Sequence, residues 1–186
     1  MSMYTIIAGV NGVGKSSLTG VLKAERRDLG YVIDVDKIAA DNGHSALEAG
    51  KIALAKIDKF LSENISFAQE TTLSGRRTEK TVAEARAKGY TIRLFYIGLN
   101  TCDESIKRIK NRVEKGGHNI DSDDVSRRYG NRFNDLVKIL PYCNEVYFFD
   151  NENGFIEVGE YRNGELIYKG DYRPLWIREL KDFIMR

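Results

Sequence analysis

The sequence predicts an α/β fold: a parallel five-stranded sheet flanked by helices, followed by a C-terminal β-hairpin and helix. Short apolar runs alternate with amphipathic stretches along most of the chain, the order that builds βαβ units. The first run, Tyr4-Thr5-Ile6-Ile7-Ala8, leads directly into Gly9-Val10-Asn11-Gly12-Val13-Gly14-Lys15-Ser16, a Gly-x-x-x-x-Gly-Lys-Ser loop. A helical pattern from Ser16 to Arg26 follows, with Leu18, Val21 and Leu22 on one face. Strand, loop and helix in that order separate a phosphate-binding loop from an ordinary glycine-rich turn. The class expected is therefore a P-loop NTPase of the nucleoside- or small-molecule-kinase kind.

The remaining elements follow in order. Tyr31-Val32-Ile33 reads as a second strand ending at Asp34 and Asp36, and Ser45 to Leu61 as a helix carrying Leu47, Leu54, Ile57 and Leu61. Ile65-Ser66-Phe67-Ala68 is a third strand, ending at Gln69-Glu70-Thr71-Thr72. Arg77 to Lys88 is a helix closed by Gly89, and Thr91 to Ile97 is a fourth strand. Asp103 to Lys115 is helical up to Gly116-Gly117. Asp121 or Ser122 then caps a helix with Val125, Tyr129, Phe133, Leu136 and Leu140 at near-helical spacing. Glu145 to Asp150 is the fifth strand. Two short strands, near 155–158 and 165–168, flank Asn163-Gly164, a dipeptide suited to a tight hairpin. Pro174 opens a final helix, where a fixed φ and a missing N–H cost nothing. The expectation is one domain over residues 1–186, with a lid at about 108–128 and the hairpin and helix at about 154–186.

Bulk properties narrow the function. The chain has 186 residues, with 29 Lys and Arg against 27 Asp and Glu, a net charge of +2. Nearly balanced charge gives no general case for nucleic acid or membrane as partner. No basic start followed by a long apolar run marks a secretory leader, and no apolar stretch is long enough for a bilayer. A cytoplasmic protein is expected. Cys102 and Cys143 lack metal-ligand spacing and read as buried thiols in a reducing compartment.

The loop dictates the chemistry. Its backbone N–H groups, contributed by Gly9, Asn11, Gly12, Val13, Gly14, Lys15, Ser16 and Ser17, would wrap a nucleotide's phosphates at a helix N-terminus. Lys15 would reach the β- and γ-phosphates, and the Ser16 hydroxyl would hold Mg²⁺. Phosphoryl transfer further needs a carboxylate for the attacking hydroxyl and cations over the transferring group. Ligands of open α/β sheets sit at the carboxyl ends of the strands. Asp36 is the candidate base there and Asp34 the fallback, since strand alternation would aim only one of them inward; the alternative is that both carboxylates cap the following segment. Glu70 is a candidate for substrate hydroxyls or for a metal-bound water; Thr71 and Thr72 either line the same pocket or cap the next turn. Arg76, within Leu73-Ser74-Gly75-Arg76-Arg77, is assigned to the substrate pocket or a turn. Arg108, Arg112 and Lys115 share one helix face opposite Ile106, Ile109 and Val113, and Arg127 and Arg128 follow. They read as a lid bringing planar guanidinium groups to the γ-phosphate.

Gly-Val-Asn-Gly-Val-Gly-Lys-Ser, Ile-Asp-Val-Asp-Lys-Ile-Ala, Glu-Thr-Thr-Leu-Ser-Gly, Arg-Val-Glu-Lys-Gly-Gly-His-Asn-Ile and Arg-Arg-Tyr together resemble the zeta-toxin family of P-loop kinases, from about Tyr4 to Asn151. The resemblance implies a kinase-type sheet with ATP or GTP as donor and Mg²⁺ as metal. It implies a small hydroxyl acceptor such as UDP-N-acetylglucosamine and an antitoxin protein as partner. Carried across, Lys15 and Ser16 match the phosphate loop, Asp36 the general base and Glu70 the substrate-binding acid. Arg108 or Arg112 matches a γ-phosphate arginine, and His118 falls near a position where some members carry a second arginine.

Three rivals stand against this reading. An ABC-type ATPase is echoed by Leu73-Ser74-Gly75, but too soon after the loop and with no apolar strand ending in Asp-Glu. A GTPase would need an Asn-Lys-x-Asp motif, which the sequence lacks. A nucleotide-dependent nucleic-acid or partner-binding module without kinase activity would use the 107–115 basic stripe on phosphates, with a steep salt dependence.

Overall fold

In the computed structural model, which describes residues 1–117 and 119–186, one sheet runs in the order β2-β3-β1-β4-β5-β6-β7. Its strands are β1 (Met3–Ala8), β2 (Tyr31–Ile33), β3 (Phe67–Thr71), β4 (Thr91–Gly98), β5 (Glu145–Asp150), β6 (Ile156–Arg162) and β7 (Glu165–Tyr168). The first five in that order pair in parallel, as the sequence predicts. The hairpin is not an appendage beside the sheet. β6 pairs antiparallel with β5, and β7 with β6, so the sheet continues to seven strands.

The helices are α1 (Lys15–Glu25), α2 (Val35–Asn42), α3 (Ala46–Ser62), α4 (Arg77–Ala87), α5 (Cys102–Glu114), α6 (Ser122–Ile139) and α7 (Leu175–Ile184). They cover both faces. Leu18 and Leu22 of α1 pack with Ile7, Phe95 and Ile97 on one face. On the other, Ile57 of α3, Val82 of α4, Leu136 of α6 and Trp176 of α7 pack on Tyr4, Ile6, Phe67 and Phe148. Two residues expected in the core are exposed, Val21 and Leu47. The buried row of α3 is Ala49, Ala53, Ile57 and Leu61, an i, i+4 stripe that leaves Leu47, in the first turn, off the row. Val21 likewise lies off the row formed by Leu18 and Leu22.

The sequence reading missed α2. The second strand ends at Ile33, so Asp36 lies on a helix and strand alternation does not decide between the two aspartates. The cysteines also differ from expectation: both are half-buried. Cys143 donates to the Ile139 carbonyl at 3.3 Å, and burial pushes its thiol up to about 12.

At the amino ends of β4 and β5, Arg93 is buried and pairs with Glu145 (2.6 Å) and Asp28 (2.8 Å). Arg26 also binds Asp28, through both carboxylate oxygens, and holds that carboxyl well below its usual range. Both acids keep enough exposure to rehydrate alone. Arg93→Met is therefore expected to lower the unfolding free energy by about 2 kcal/mol, less than for a pair whose remaining charge stays buried. Urea unfolding with a lower midpoint and an unchanged slope is the expected result. A depressed carboxyl pKa contributes stability above its unfolded value that is lost as pH falls through the folded one. The Asp28 contribution thus persists below the ordinary carboxylate range.

Candidate active site

A cleft of about 380 Å³ opens at the carboxyl ends of β1, β2 and β3. Asn11, Gly12, Gly14, Lys15, Ser16 and Ser17 of the loop line it, with Asp34, Asp36, Glu70, Thr71 and Thr72. Arg108 and Arg112 of α5 and Arg128 of α6 complete it. Most of the residues singled out from sequence thus meet in one place.

The loop is held from outside as well as by its own glycines. Gly12 has φ of 74°, and a Cβ there would lie 2.7 Å from the Ser105 carbonyl oxygen. Gly14 has φ of 98° and caps α1, and its Cβ would meet Asn151 Nδ2 at 2.5 Å. Both positions require glycine by conformation and by space. Asn151 Nδ2 donates to the Val13 carbonyl at 2.8 Å, Arg128 donates to Asn11 Oδ1 at 3.0 Å, and the Ser105 hydroxyl donates to the Asn11 carbonyl. Gly9 donates its N–H to the Thr71 carbonyl at 3.3 Å, tying the loop to β3. Val13 turns its side chain into the core beside Val10 and Leu18, so only its backbone serves the loop.

Lys15 Nζ donates to the Gly9 and Val10 carbonyls, each at 3.0 Å. Burial pushes its ammonium down to about 8, against the pull of Glu70, Asp36 and Asp34. Bound phosphates would favour the charged form and raise that value, so nucleotide binding above about pH 8 takes up a proton. Affinity for ATP is expected to be level below that pH and to fall by up to about tenfold per pH unit above it. Calorimetry in buffers of different ionisation enthalpy measures the uptake; flat affinity with no uptake would refute this assignment.

Glu70 turns towards α1, where its carboxylate accepts from Ser16 Oγ (2.8 Å) and Thr19 Oγ1 (2.7 Å). Burial raises its pKa, while the two hydroxyls oppose the shift. Asp34 caps α2, its Oδ1 accepting from the N–H groups of Asp36 (3.0 Å) and Lys37 (3.2 Å). The cap occupies Asp34, whereas Asp36 is exposed in the first turn of α2 and lines the cleft. Thr71 Oγ1 accepts from the Leu73 N–H at 3.0 Å, and Thr72 Oγ1 lies 2.8 Å from Ser74 Oγ. Leu73 makes this turn with a positive φ of 64° and a buried side chain, strain of the kind found at ligand sites. Arg108 binds Glu104 (2.9 Å) and the Glu152 carbonyl (3.2 Å). Arg76 is exposed just before α4 and does not line the cleft. His118 lies outside the described residues.

The sequence reading did not single out Gln69, Ser105 or Asn151. Gln69 stands beside Glu70 in the third strand's polar end, a signal that was present and unused. The other two reach the loop only through distant pairing.

The residues present fit a Mg²⁺–nucleotide. The glycine cradle opens on a helix N-terminus, and the Ser16 hydroxyl faces the cleft beside Glu70. Among the described residues no group of three or more His, Cys, Asp or Glu is placed to hold a metal by itself. The ion would therefore depend on Ser16 and phosphate oxygens, as is usual for Mg²⁺.

The fold is that of the zeta-toxin-like P-loop kinases. A structure from the PezAT chromosomal toxin-antitoxin system of Streptococcus pneumoniae matches with a TM-score of 0.62 and 16% identity, over 100% of this chain and 84% of that one. AvrRxo1-ORF1:AvrRxo1-ORF2 with sulphate ions matches at 0.66 with 16% identity, over 99% of this chain and 63% of that one. The same pair with ATP matches at 0.65. No protein-family model matches the chain. An uncharacterized protein of Haemophilus influenzae is 36% identical over 126 residues, 65% of this chain and 88% of that protein. The chain belongs to the same family as that protein. No helix among the described residues is long and apolar enough to cross a membrane.

Proposed function

We propose that this protein is a P-loop kinase that moves the γ-phosphate of ATP to a hydroxyl of a small molecule, a nucleotide sugar such as UDP-N-acetylglucosamine. The observation that carries the reading is the cleft itself, where the phosphate loop, Asp36 and three arginines converge. ATP sits with its phosphates on the Gly12–Ser16 backbone. The acceptor oxygen attacks the γ-phosphorus, the bond to the bridging oxygen breaks, ADP leaves, and Asp36 takes the hydroxyl proton. Lys15, Arg108, Arg112 and Arg128 stabilise charge on the transferring group. Mg²⁺, held by Ser16, neutralises phosphate charge when bound, and Glu70 fixes the Ser16 hydroxyl. Residues 108–128 act as the lid. The AvrRxo1 pair with ATP and the PezAT toxin-antitoxin system favour ATP as donor and an antitoxin as protein partner.

The test is transfer of label from γ-labelled ATP with Mg²⁺ to UDP-N-acetylglucosamine. A labelled nucleotide sugar supports the reading. Label released only as free phosphate removes this acceptor and leaves an ATPase.

A further inference from the structure

Strand alternation sorts the polar end of β3 onto two faces. Glu70 points to α1 and the metal side of the cleft. Gln69, one residue earlier, lies on the face of Phe67 and Tyr4 and also lines the cleft. The hydroxyl of Tyr4 donates to Gln69 Oε1 at 2.5 Å. Tyr4 is wholly buried and its ring stacks on Phe67 with centroids 4.4 Å apart, so this donor does not move. Among the described residues the Tyr4 hydroxyl has no other partner, and a buried phenol must donate somewhere. That requirement fixes which way the Gln69 carboxamide faces: its oxygen is committed to Tyr4, and its NH₂ is the half left for the cleft.

Resting on the kinase reading, we infer that Gln69 reads the acceptor. Its Nε2 donates to a neutral oxygen, a hydroxyl or an amide carbonyl, beside the hydroxyl that is phosphorylated. Tyr4 is the positioning residue behind it. A site built to donate to one oxygen disfavours an analogue lacking it, because the donor is covered by the analogue and left unpaired. Glu70 and Gln69 thus divide the work of adjacent residues, one serving the metal side and the other the acceptor side.

The chain contains a single glutamine, so ¹⁵N labelling of glutamine side chains gives one NH₂ pair, that of Gln69. UDP-N-acetylglucosamine added to the Mg·ADP form is expected to shift that pair, and Mg·ADP alone is expected to leave it in place. Gln69→Leu should raise KM for UDP-N-acetylglucosamine about tenfold or more while KM for ATP stays the same. Tyr4→Phe should give a smaller rise in the same KM, since the freed carboxamide can turn over, and it should move the NH₂ pair towards the shifts of a solvated glutamine, with the two protons still distinct because the C–N bond does not rotate freely. Transfer by the unaltered protein with unchanged acceptor KM in Gln69→Leu overturns the inference and leaves the kinase reading intact. A shifted NH₂ pair without transfer supports the inference and refutes the reaction. Neither transfer nor shift refutes both for this acceptor.

Discussion

Asp36→Asn is expected to lower phosphoryl transfer about a thousandfold, the range for removing a general base. ATP binding should be nearly unchanged, because the proposed phosphate cradle is the loop and not α2. The substitution keeps the size and one acceptor oxygen and removes the charge that takes the proton. Asp34→Asn is the matched control. Asparagine caps a helix as well as aspartate does, so α2 keeps its start and transfer should fall by no more than a few-fold. If the two variants reverse, with Asp34→Asn inactive and Asp36→Asn normal, Asp34 is the base. Single-turnover rates with saturating ATP separate chemistry from binding in both.

On the proposed reading, Lys15→Ala should remove about a thousandfold or more of transfer and most of the affinity for ATP, since it takes away the cation assigned to the phosphates. The fold should survive. The loop keeps its tethers from Arg128, Ser105 and Asn151, and the variant loses only the two bonds to the Gly9 and Val10 carbonyls. Removing an ammonium that burial already disfavours offsets part of that loss. Thermal unfolding within a few degrees of the unaltered protein, with nucleotide no longer raising the midpoint, is the expected outcome. Retained ATP-dependent stabilisation would mean that Lys15 is not the phosphate cation.

The parts of this site that depend on local geometry could be read from sequence, and those that depend on long-range pairing could not. The phosphate loop was legible because its glycine spacing is itself the conformational requirement. Glu70 and the arginines that line the cleft were expected there from the end of a strand and from helical spacing, whereas Asp36 was expected at a strand end and lies on α2. Helix α2 was not legible as an element, since Val35–Asn42 is only eight residues long. Its start is set by the Asp34 cap, which the sequence offered as the alternative to a strand-end carboxylate. Nor was the docking of the hairpin. Alternation marks β6 as a strand but says nothing of its partner, and β5 is chosen by burial of Val158 and Leu166 against Trp176 and Phe148. The orientation of Gln69 depends on a tyrosine 65 positions away.

The phosphate motif lies within the first sixteen residues, but what holds it in shape comes much later in the chain. Asn151 grips the Val13 carbonyl across 138 positions. Asp150, buried beside it, accepts from the indole of Trp176 at 2.8 Å and from the N–H of Glu152 at 3.0 Å. During synthesis from the N-terminus the motif therefore emerges first and the last of its supports only near the end of the chain. A nascent chain interrupted before Asn151 carries every residue of the signature but lacks the clamp on the Val13 carbonyl. The loop's last support arrives only when the distal edge of the sheet is made.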